Sequence, residues 1–510
     1  MSEKHENVRH SPLSIVVRSL ALALILGMGA YLLFANLDVM RIVDYDEARH
    51  GVNAYEMIRN DDYLMSTYGE EPDYWNLKPP LSYWSIALSY KLFGYNAFAL
   101  RFHSALSMLL CMLIMSYWLL KRFGWTPMLV AMAFLVCNGA LYGNHFARYG
   151  DADAQYQLFF TIAMLCMMMS RKNFRWLYGS AFCFAMAFMD KATHAFAIPL
   201  VCLTYVICTG LWRKLNWKRI LLLAAWGLTP IVIWAAARYS RDGWTFFHEM
   251  FFGDVVNRVG RNATGDTRWG DSILGTLGYF VDYMLSVRVL PLGLALCAVC
   301  AVTCLIKRTK LTQPSKDVVI GASLWFVVPI AFYSVMRTQF LWYIFHVFMA
   351  LPVLIAAMLS SALGSGGKQI ALKVCIGLSC ALLCYGCWLN VGSINSLSFS
   401  GRYQEVMNEY LDRDADTGLH AYIQYNEEVL DENGEAIDGE QVTTWMQGDR
   451  LAAYFAGDVV CIDGGVAAFE EDEEPALLII GRDNNLEAID EVLGYTMPRF
   501  EGGLIYVLDK

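Results

Sequence analysis

The sequence predicts a polytopic α-helical membrane protein that carries a small α/β domain at its carboxyl end. Of its 510 residues 56% are hydrophobic, and the mean hydropathy is +0.37, which is too apolar for a soluble protein. Apolar stretches of about 20 residues, enough for a helix to cross a hydrocarbon core of roughly 30 Å, recur through the first four-fifths of the chain. From about residue 400 the sequence becomes polar and acidic.

About eleven apolar segments are long enough to predict membrane spans. The first, from about Leu13 to Phe34, is too long for the apolar region of a signal peptide and has no small-residue cleavage site, so we expect a spanning helix. The spans are centred near residues 24, 108, 134, 162, 182, 203, 229, 297, 327, 352 and 381.

The short loops between these spans alternate in charge. Basic residues concentrate in every second loop, and cytoplasmic loops of membrane proteins are enriched in Lys and Arg. The pattern places the amino terminus in the cytoplasm and the carboxyl-terminal region outside, in a bacterial cytoplasmic membrane. The basic loops contain Lys121-Arg122, Arg171-Lys172-Arg175, Arg213-Lys214-Lys218-Arg219, Lys307-Arg308-Lys310 and Lys368.

The charge also divides the chain into two predicted domains, residues 1–395 and 396–510. Residues 401–510 hold 26 acidic and 6 basic residues, a net charge of −20, whereas the whole chain carries −9. Short β-like runs such as Ala476 to Gly481 alternate with helical stretches such as Leu486 to Leu493, which predicts a soluble α/β domain outside the membrane. It lacks a nucleotide-binding fingerprint, and we expect no nucleic-acid partner.

Two predicted outer loops, residues 37–97 and 239–286, are much longer than the others. Apolar residues recur at helical spacing in the first, at Ala48, Val52 and Tyr55, and again from Leu81 to a stop at Gly94. This pattern predicts amphipathic helices in the outer membrane interface. A site that serves both a lipid and an aqueous acceptor needs such a region.

The first motif with possible chemistry is Asp44-Tyr45-Asp46-Glu47, directly after the first span. Sugar transfer to a hydroxyl needs a base that removes the proton, and a carboxylate suits that role. Asp46 is the candidate base, with Glu47 beside it as a second catalytic candidate. Capping is the structural alternative, because Asp44 and Glu47 have capping-box spacing and acids are favoured in a first helical turn.

The second motif is Asn76-Leu77-Lys78-Pro79-Pro80. Prolines at a helix start are ordinary boundary residues, so they need no functional explanation. Lys78 is different. A cation held at the membrane surface by two rigid residues could bind a lipid phosphate and stabilise the charge of a leaving group.

The third motif is the short loop from His145 to Asp153, which also holds Arg148 and Asp151. Ionisable groups at a membrane edge are candidates for function, so we assign substrate binding to these four residues; solvated loop charge is the alternative. An Asp-x-Asp pair could also hold a divalent ion, but two carboxylates are too few to assign one.

Further charged groups are expected at the same face: Arg258 in the second long loop, Asp190-Lys191 at the end of the fifth span, and the Arg337 to Tyr343 stretch. Each alone could be a side chain that extends to the interface. The prediction of a shared site depends on their convergence on one face.

Taken together, the motifs resemble the superfamily of protein O-mannosyltransferases and lipid A aminoarabinose transferases. The resemblance rests on an Asp-Glu pair after the first span, a Lys-Pro-Pro-Leu about thirty residues later, the Ala147 to Ala154 loop, and Trp342-Tyr343 before a late span. It covers about the first 360 residues. It implies a GT-C membrane glycosyltransferase that inverts the anomeric centre and uses a polyprenyl-phosphate sugar, with an acceptor in the cell envelope.

The resemblance also implies roles for individual residues. Asp46 matches the proposed base of the family, and Lys78, Arg258 and Tyr343 match residues that bind the lipid phosphate. Leu77 and Val255 stand where lipid A aminoarabinose transferases have metal ligands, so a zinc site of that kind is not expected, and a divalent metal is left open. The alternative function is a lipid-linked sugar flippase, which would place polar groups near the membrane midplane.

Overall fold

A computed structural model describes residues 12–256, 273–309, 311, 313–336, 340–365, 369–399, 401–424, 426–430, 436–481, 484–496, 498–502 and 505–510. Up to Asn395 the chain is a bundle of helices, and the remaining residues form a mixed sheet with helices. The predicted fold class, a polytopic helical bundle with a small carboxyl-terminal α/β unit, is therefore confirmed.

The bundle contains fifteen helices among the described residues, and most follow the apolar segments of the sequence. They are α1 Pro12–Phe34, α2 Asp46–Arg59, α3 Leu81–Phe93, α4 Ala97–Phe123, α5 Trp125–Val136, α6 Asp153–Met169, α7 Trp176–Lys191, α8 Ala197–Cys208, α9 Trp217–Asp242, α10 Thr245–His248, α11 Ile273–Ser286, α12 Val289–Ile306, α13 Gln313–Ser334, α14 His346–Leu363 and α15 Ile370–Asn395.

Each of the eleven predicted span centres falls inside a helix. By length and composition, eight described stretches could cross a membrane. This number is smaller than the eleven predicted spans because α7 and α8 count as one stretch of 33 residues, and α5 and α6 are shorter than a full span. The contacts show that α7 and α8 run in opposite directions. Arg171, which precedes α7, donates to the carbonyl of Thr209, which follows α8, so the chain returns to the end from which α7 began.

The bundle has a central and a peripheral set of helices. In the most apolar window of residues 341–363, 78% of the residues are buried within the protein, against 6% in α1. A helix that is apolar on all sides but exposed needs lipid as its solvent, so α1 lies at the periphery and α14 lies in the middle.

Charged side chains make contacts at both ends of the bundle. At one end, which we call the site end, Lys191 pairs with Asp153, and Arg101 and Arg148 donate to carbonyls at the end of α1 and just beyond it. At the opposite end Arg171 lies 3.5 Å from Asp317 and accepts a hydrogen bond from Lys214 at 3.3 Å.

Residues after 396 form a five-stranded mixed sheet. Its strands lie in the order β6 Val460–Cys461, β3 His420–Gln424, β7 Ala476–Gly481, β9 Ile505–Asp509 and β8 Arg499–Gly502. Strand β3 is parallel to both neighbours, and β9 is antiparallel to both of its neighbours. All six residues of β7 are buried, as expected for a strand covered on both faces. The elements are α16 Arg402–Tyr410, β3 His420–Gln424, β4 Asn426–Leu430, β5 Ala436–Thr443, α17 Gln447–Gly457, β6 Val460–Cys461, α18 Gly465–Glu471, β7 Ala476–Gly481, α19 Leu486–Leu493, β8 Arg499–Gly502 and β9 Ile505–Asp509.

The first long loop is enclosed between these two parts. It contains α2, a two-strand hairpin of β1 Thr67–Tyr68 and β2 Glu71–Pro72, and α3, which has the predicted bounds. Helix α2 is buried on nearly every side from Glu47 to Met57, and α17 packs against it.

Contacts of Ile42, Asp44 and Tyr55 are among the polar contacts that join α2 and the turn before it to the carboxyl-terminal part. Gln404 both donates to and accepts from the backbone of Ile42, at 3.0 and 2.9 Å. Asp44 accepts from the backbone amide of Gly448 at 2.8 Å, and the Tyr55 hydroxyl donates to Asp458. The carboxyl-terminal part therefore holds the helix that begins at Asp46.

Candidate active site

Asp46 is the first residue of α2 and is fixed by its neighbours in the chain. Tyr45, directly before it, has a φ of +67°, a backbone conformation that non-glycine residues rarely adopt. Bonds on both sides maintain this turn: Asp44 accepts from Gly448, and Glu47 accepts from the Val43 amide at 2.9 Å. Glu47 thus bonds to the backbone that precedes the helix, whereas Asp44 bonds to the carboxyl-terminal part.

The Asp46 carboxylate contacts two groups that the sequence had assigned to separate motifs. Lys78 donates to one oxygen at 3.0 Å, and His145 Nδ1 lies 3.8 Å from the other. The three side chains keep 30%, 21% and 23% exposure, respectively, so a substrate can reach them.

Opposing effects set the pKa of Asp46. Burial raises the pKa of a carboxyl, but the positive charge of Lys78 outweighs burial. At the low pH at which Asp46 titrates, the charges of His50 and His145 add to that of Lys78, so the pKa of Asp46 lies well below the ordinary value of 3.8. Asp46 is therefore fully ionised, but its ion pair with Lys78 makes this carboxylate a weaker proton acceptor.

A buried polar network holds Lys78 in place. No pattern in the sequence predicts this network. Lys78 donates to Asn76 at 2.8 Å, Asn76 donates to Asn53 at 3.1 Å, and Asn53 donates to Asp73 at 2.9 Å. Arg49 closes the network with two bonds to Asp73, at 3.0 and 2.8 Å. Such a satisfied network fixes the lysine as a rigid element.

His50 lies beneath Asp46, one turn further along α2. Its Nδ1 is 2.6 Å from the carbonyl oxygen of Asp46. Burial, followed by the charge of Lys78, lowers the pKa of His50 to about 3, so the ring is neutral at physiological pH. It therefore adds no charge to the site.

His145 belongs to the third motif and connects it to Asp46. Its Nδ1 is 3.2 Å from Asp151, and its ring stacks on Trp342 with centroids 3.9 Å apart. Burial lowers the pKa of a histidine, but Asp151 and Asp46 outweigh burial and raise the pKa of His145 above 6.5. The pKa of Asp151 is lowered in turn, since its bond to His145 outweighs burial.

This pair gives a pH-dependent prediction. Because the pKa of His145 is higher in the folded protein than the unfolded value of 6.5, its ion pair stabilises fully below pH 6.5 and is lost as pH rises through the folded pKa. We expect His145→Gln to lower the free energy of unfolding by about 1–2 kcal/mol at pH 6 and by much less at pH 9. Thermal unfolding in detergent at both pH values measures this, with the exposed His248→Gln as control; an equal loss at both would contradict it.

Beside this pair lies a second ion pair, made by Asp153 and Lys191. The Lys191 ammonium is also 5.8 Å from the ring centre of Tyr343. Next in the chain, Asp190 is fully buried, and neither of its carboxylate oxygens has a hydrogen-bond partner within the described residues. The sequence predicted Asp190 and Lys191 only as charged residues at the end of the fifth span.

Two of the predicted site residues, Glu47 and Arg148, are buried and bond to other parts of the chain. Glu47 accepts from Arg101 through both oxygens, at 2.7 and 2.9 Å, and from the amide of Gly150 at 2.9 Å. Arg148 donates to four carbonyls at the end of α1 and just beyond it, of Leu32, Leu33, Ala35 and Asn36. Both are buried at 2% exposure, so they shape the loops around the site.

Comparison with known proteins identifies chains of similar sequence. Residues 77–235 match the family model described as dolichyl-phosphate-mannose-protein mannosyltransferase. A curated relative from Pseudomonas fluorescens, undecaprenyl phosphate-alpha-4-amino-4-deoxy-L-arabinose arabinosyl transferase 2, is 26% identical over 362 residues, 66% of this chain and 59% of that one. A relative from Pseudomonas aeruginosa is 26% identical over 64% of this chain and 57% of its own length.

A solved structure decides the fold. The structure of ArnT from Cupriavidus metallidurans bound to undecaprenyl phosphate has a TM-score of 0.67 over 98% of both chains, at 16% identity. The apo structure of the same protein gives 0.65. The chain therefore shares the fold of this ArnT structure, and its sequence is similar to the arabinosyl transferases and, over residues 77–235, to the mannosyltransferase family model. It spans about three-fifths of the length of the curated relatives that it matches.

Leu77 and Val255 are apolar residues at the two positions where the resemblance to lipid A aminoarabinose transferases implies metal ligands. Leu77 is 8% exposed within the apolar core and offers no metal ligand, and Val255 has none either. Among the residues that the structure describes, no cluster of three or more His, Cys, Asp or Glu side chains could hold a metal ion. Arg258, the predicted phosphate ligand, and Arg337 lie outside the described residues.

Proposed function

We propose that this protein is an inverting GT-C glycosyltransferase that moves a sugar from polyprenyl phosphate to a hydroxyl group of an acceptor in the cell envelope. One observation supports the proposal above the others: a partly exposed carboxylate, Asp46, lies 3.0 Å from a partly exposed cation, Lys78, at the mouth of the bundle. Such a pair can serve an acceptor proton and a leaving phosphate at the same time.

In the proposed step, the acceptor oxygen attacks the anomeric carbon from the face opposite the phosphate. The bond between that carbon and the phosphate oxygen breaks, and its electron pair leaves with polyprenyl phosphate. The acceptor proton moves to Asp46. Lys78 binds the phosphate and stabilises the charge that grows on it, and Tyr343 and Lys191 lie on the phosphate side of the site.

The contact between Lys78 and Asp46 also couples donor binding to base strength. A phosphate that attracts Lys78 takes it from Asp46, and the pKa of Asp46 rises once this cation is shared. Asp46 is then a better base when the donor is present than when the site is empty.

We place the site end of the bundle and residues 396–510 outside the bacterial cytoplasmic membrane, with the amino terminus inside. The basic residues at the opposite end, Arg171 and Lys214 among them, fit the cytoplasmic side. The proposed partners are an undecaprenyl-type phosphate sugar, an envelope acceptor that is a protein, wall polymer or glycolipid, and the lipid bilayer.

Mass spectrometry of envelope glycans tests the function. We expect cells that lack the chain, and cells that carry only Asp46→Asn, to lose the same sugar from one envelope component. Unchanged glycans in both would refute the proposal. If proteoliposomes moved a lipid-linked sugar across the bilayer without joining it to an acceptor, the chain would instead be a flippase.

Lys78→Ala gives the prediction for the donor side. We expect donor affinity to fall roughly ten- to a hundredfold, because a charge-assisted hydrogen bond contributes about 1.5–3 kcal/mol. Binding of undecaprenyl phosphate to the purified protein measures this. Lys91→Ala is the control, since Lys91 belongs to the same loop and its ammonium donates to the hydroxyl of Tyr63. Equal affinity of the two variants would remove Lys78 from the phosphate site.

A further inference from the structure

The residue before the proposed base has a strained backbone. Tyr45 has a φ of +67° and a ψ of −119°. These angles are close to those of the first central residue of a type II′ turn, a position where glycine is preferred because it has no Cβ atom. Asp458 also has a positive φ, but its ψ of 38° places it in the left-handed helical region that aspartate tolerates. The backbone of Tyr45 is therefore strained, whereas that of Asp458 is not.

Bonds on both sides of Tyr45 hold this strain, which persists only where the surrounding structure maintains it. Asp44 accepts from the backbone amide of Gly448 at 2.8 Å, and Glu47 accepts from the Val43 amide at 2.9 Å. A second strained backbone lies at the site end of the bundle, where Ala192 has a φ of +46° and a ψ of −128°. Strained residues cluster at catalytic and binding sites, so the strain at Tyr45 calls for a functional explanation.

The ring of Tyr45 adds little to the stability of the turn. The residue is 61% exposed, and its side chain makes no capping hydrogen bond to α2. A glycine would adopt the same backbone angles without strain. The tyrosine thus destabilises the turn and supplies an exposed aromatic ring beside Asp46. The transfer step described above gives this ring no role.

The position of Tyr45 fits the acceptor side of the site. Its Cα atom is about 3.8 Å from that of Asp46, as for any two neighbours in the chain. Lys78 contacts one oxygen of Asp46, and His145 lies near the other, yet 30% of the Asp46 side chain is exposed. In the transfer step Lys78 binds the phosphate, which leaves the exposed approach to the acceptor. The turn also bonds to the carboxyl-terminal part, which we place in the aqueous phase outside the membrane.

We propose that Tyr45 is an acceptor-binding residue, whose ring contacts the acceptor while the reacting hydroxyl lies at Asp46. The inference rests on the proposed function. A tyrosine side chain offers a large, rigid contact surface with only two rotatable bonds, so it positions a bound group with little loss of entropy. The strained backbone supports this role, because it restricts the direction of the side chain next to the base.

Three variants separate the ring from the backbone. Tyr45→Gly removes the ring and the strain, Tyr45→Ala removes the ring but keeps the Cβ atom and the strain, and Tyr45→Phe keeps the ring. We expect the thermal midpoint of Tyr45→Gly in detergent to lie about 1–3 °C above that of the unaltered protein, and those of Tyr45→Ala and Tyr45→Phe to lie within about 1 °C of it. A lower midpoint in Tyr45→Gly or Tyr45→Ala would mean that the tyrosine serves the fold, and would overturn the inference.

Sugar transfer in cells is the second measurement. Each variant is induced in cells that lack the chain, at equal amounts in the membrane, and mass spectrometry follows the return of the missing sugar to its envelope component. We expect Tyr45→Ala and Tyr45→Gly to slow this return about two- to tenfold, the contribution of one aromatic contact, and Tyr45→Phe to keep the unaltered rate. Binding of undecaprenyl phosphate to the purified variants should not change, because Lys78 is intact.

Tyr495→Ala is the matched control, since Tyr495 is a tyrosine of the carboxyl-terminal part that is 50% exposed. It should transfer at the unaltered rate. A full rate in Tyr45→Ala, an equal loss in Tyr495→Ala, or a loss of undecaprenyl phosphate binding as large as the loss of transfer would overturn the assignment of Tyr45 alone. If the unaltered chain returned no sugar to these cells, the proposed function would fail, and this inference would fail with it.

Discussion

Asp46→Asn should reduce sugar transfer by about two to four orders of magnitude, the usual contribution of a positioned general base. The amide has the shape of the carboxylate and can still accept from Lys78 at this site, but it cannot take the acceptor proton. We expect donor binding and thermal stability to stay close to those of the unaltered protein. Release of polyprenyl phosphate from a labelled donor, in the presence of acceptor, measures the rate.

Asp38→Asn is a matched control, because Asp38 is an exposed carboxylate eight residues earlier in the same loop. It should transfer sugar at the unaltered rate. If Asp46→Asn also kept its full rate, Asp46 would not be the base. If it lost donor binding as severely as transfer, Asp46 would act in binding the donor.

Arg101→Met should have the largest effect on stability. Arg101 is fully buried and makes two bonds to Glu47 and three to the carbonyls of Leu37, Met40 and Arg41. Removal of one partner of a buried pair leaves the other charge uncompensated and costs about 3–5 kcal/mol. Denaturant unfolding of the purified protein measures the loss, and transfer should fall with it because Glu47 holds the turn before Asp46.

An exposed ion pair at the same end of the bundle provides the comparison. Arg241 lies 3.7 Å from Asp62, with 49% and 26% of the side chains exposed. Arg241→Gln should cost at most about 1 kcal/mol, as surface pairs do. Equal losses in the two variants would mean that burial of the Arg101 pair adds nothing to stability.

The helical bundle was predictable because lipid-facing and buried helices are both apolar over their whole length. Hydropathy alone therefore located them, and the bounds of α3 followed from Pro80 and Gly94. It could not distinguish α1, which faces outward, from α14, which lies at the centre, because both have the same composition. The hairpin β4–β5 was missed because it lies in polar sequence, and helix α18, Gly465–Glu471, was missed because seven residues are too few to show a helical period.

The site was predictable in part. Topology placed Asp46, Lys78, His145 and Asp151 at one end, and direct contacts link these four side chains. The network of Asn53, Asp73 and Asn76 behind Lys78 was not predictable, because a buried polar contact between distant residues leaves no periodic pattern in the sequence. Glu47, a second catalytic candidate, bonds to buried Arg101, and Arg148, a candidate for substrate binding, bonds to the carbonyl of Leu32; both roles stay predictions.

The enclosure of α2 has a consequence for biosynthesis. The contact between Asp44 and Gly448 joins residues 404 positions apart, and that between Tyr55 and Asp458 joins residues 403 apart. The ribosome thus inserts the catalytic turn into the envelope long before it makes the segment that fixes it. A chain that stops before Gly448 contains every proposed catalytic group but lacks the contact that fixes the turn at Tyr45. We expect premature termination before Gly448 to leave a membrane protein that does not transfer sugar.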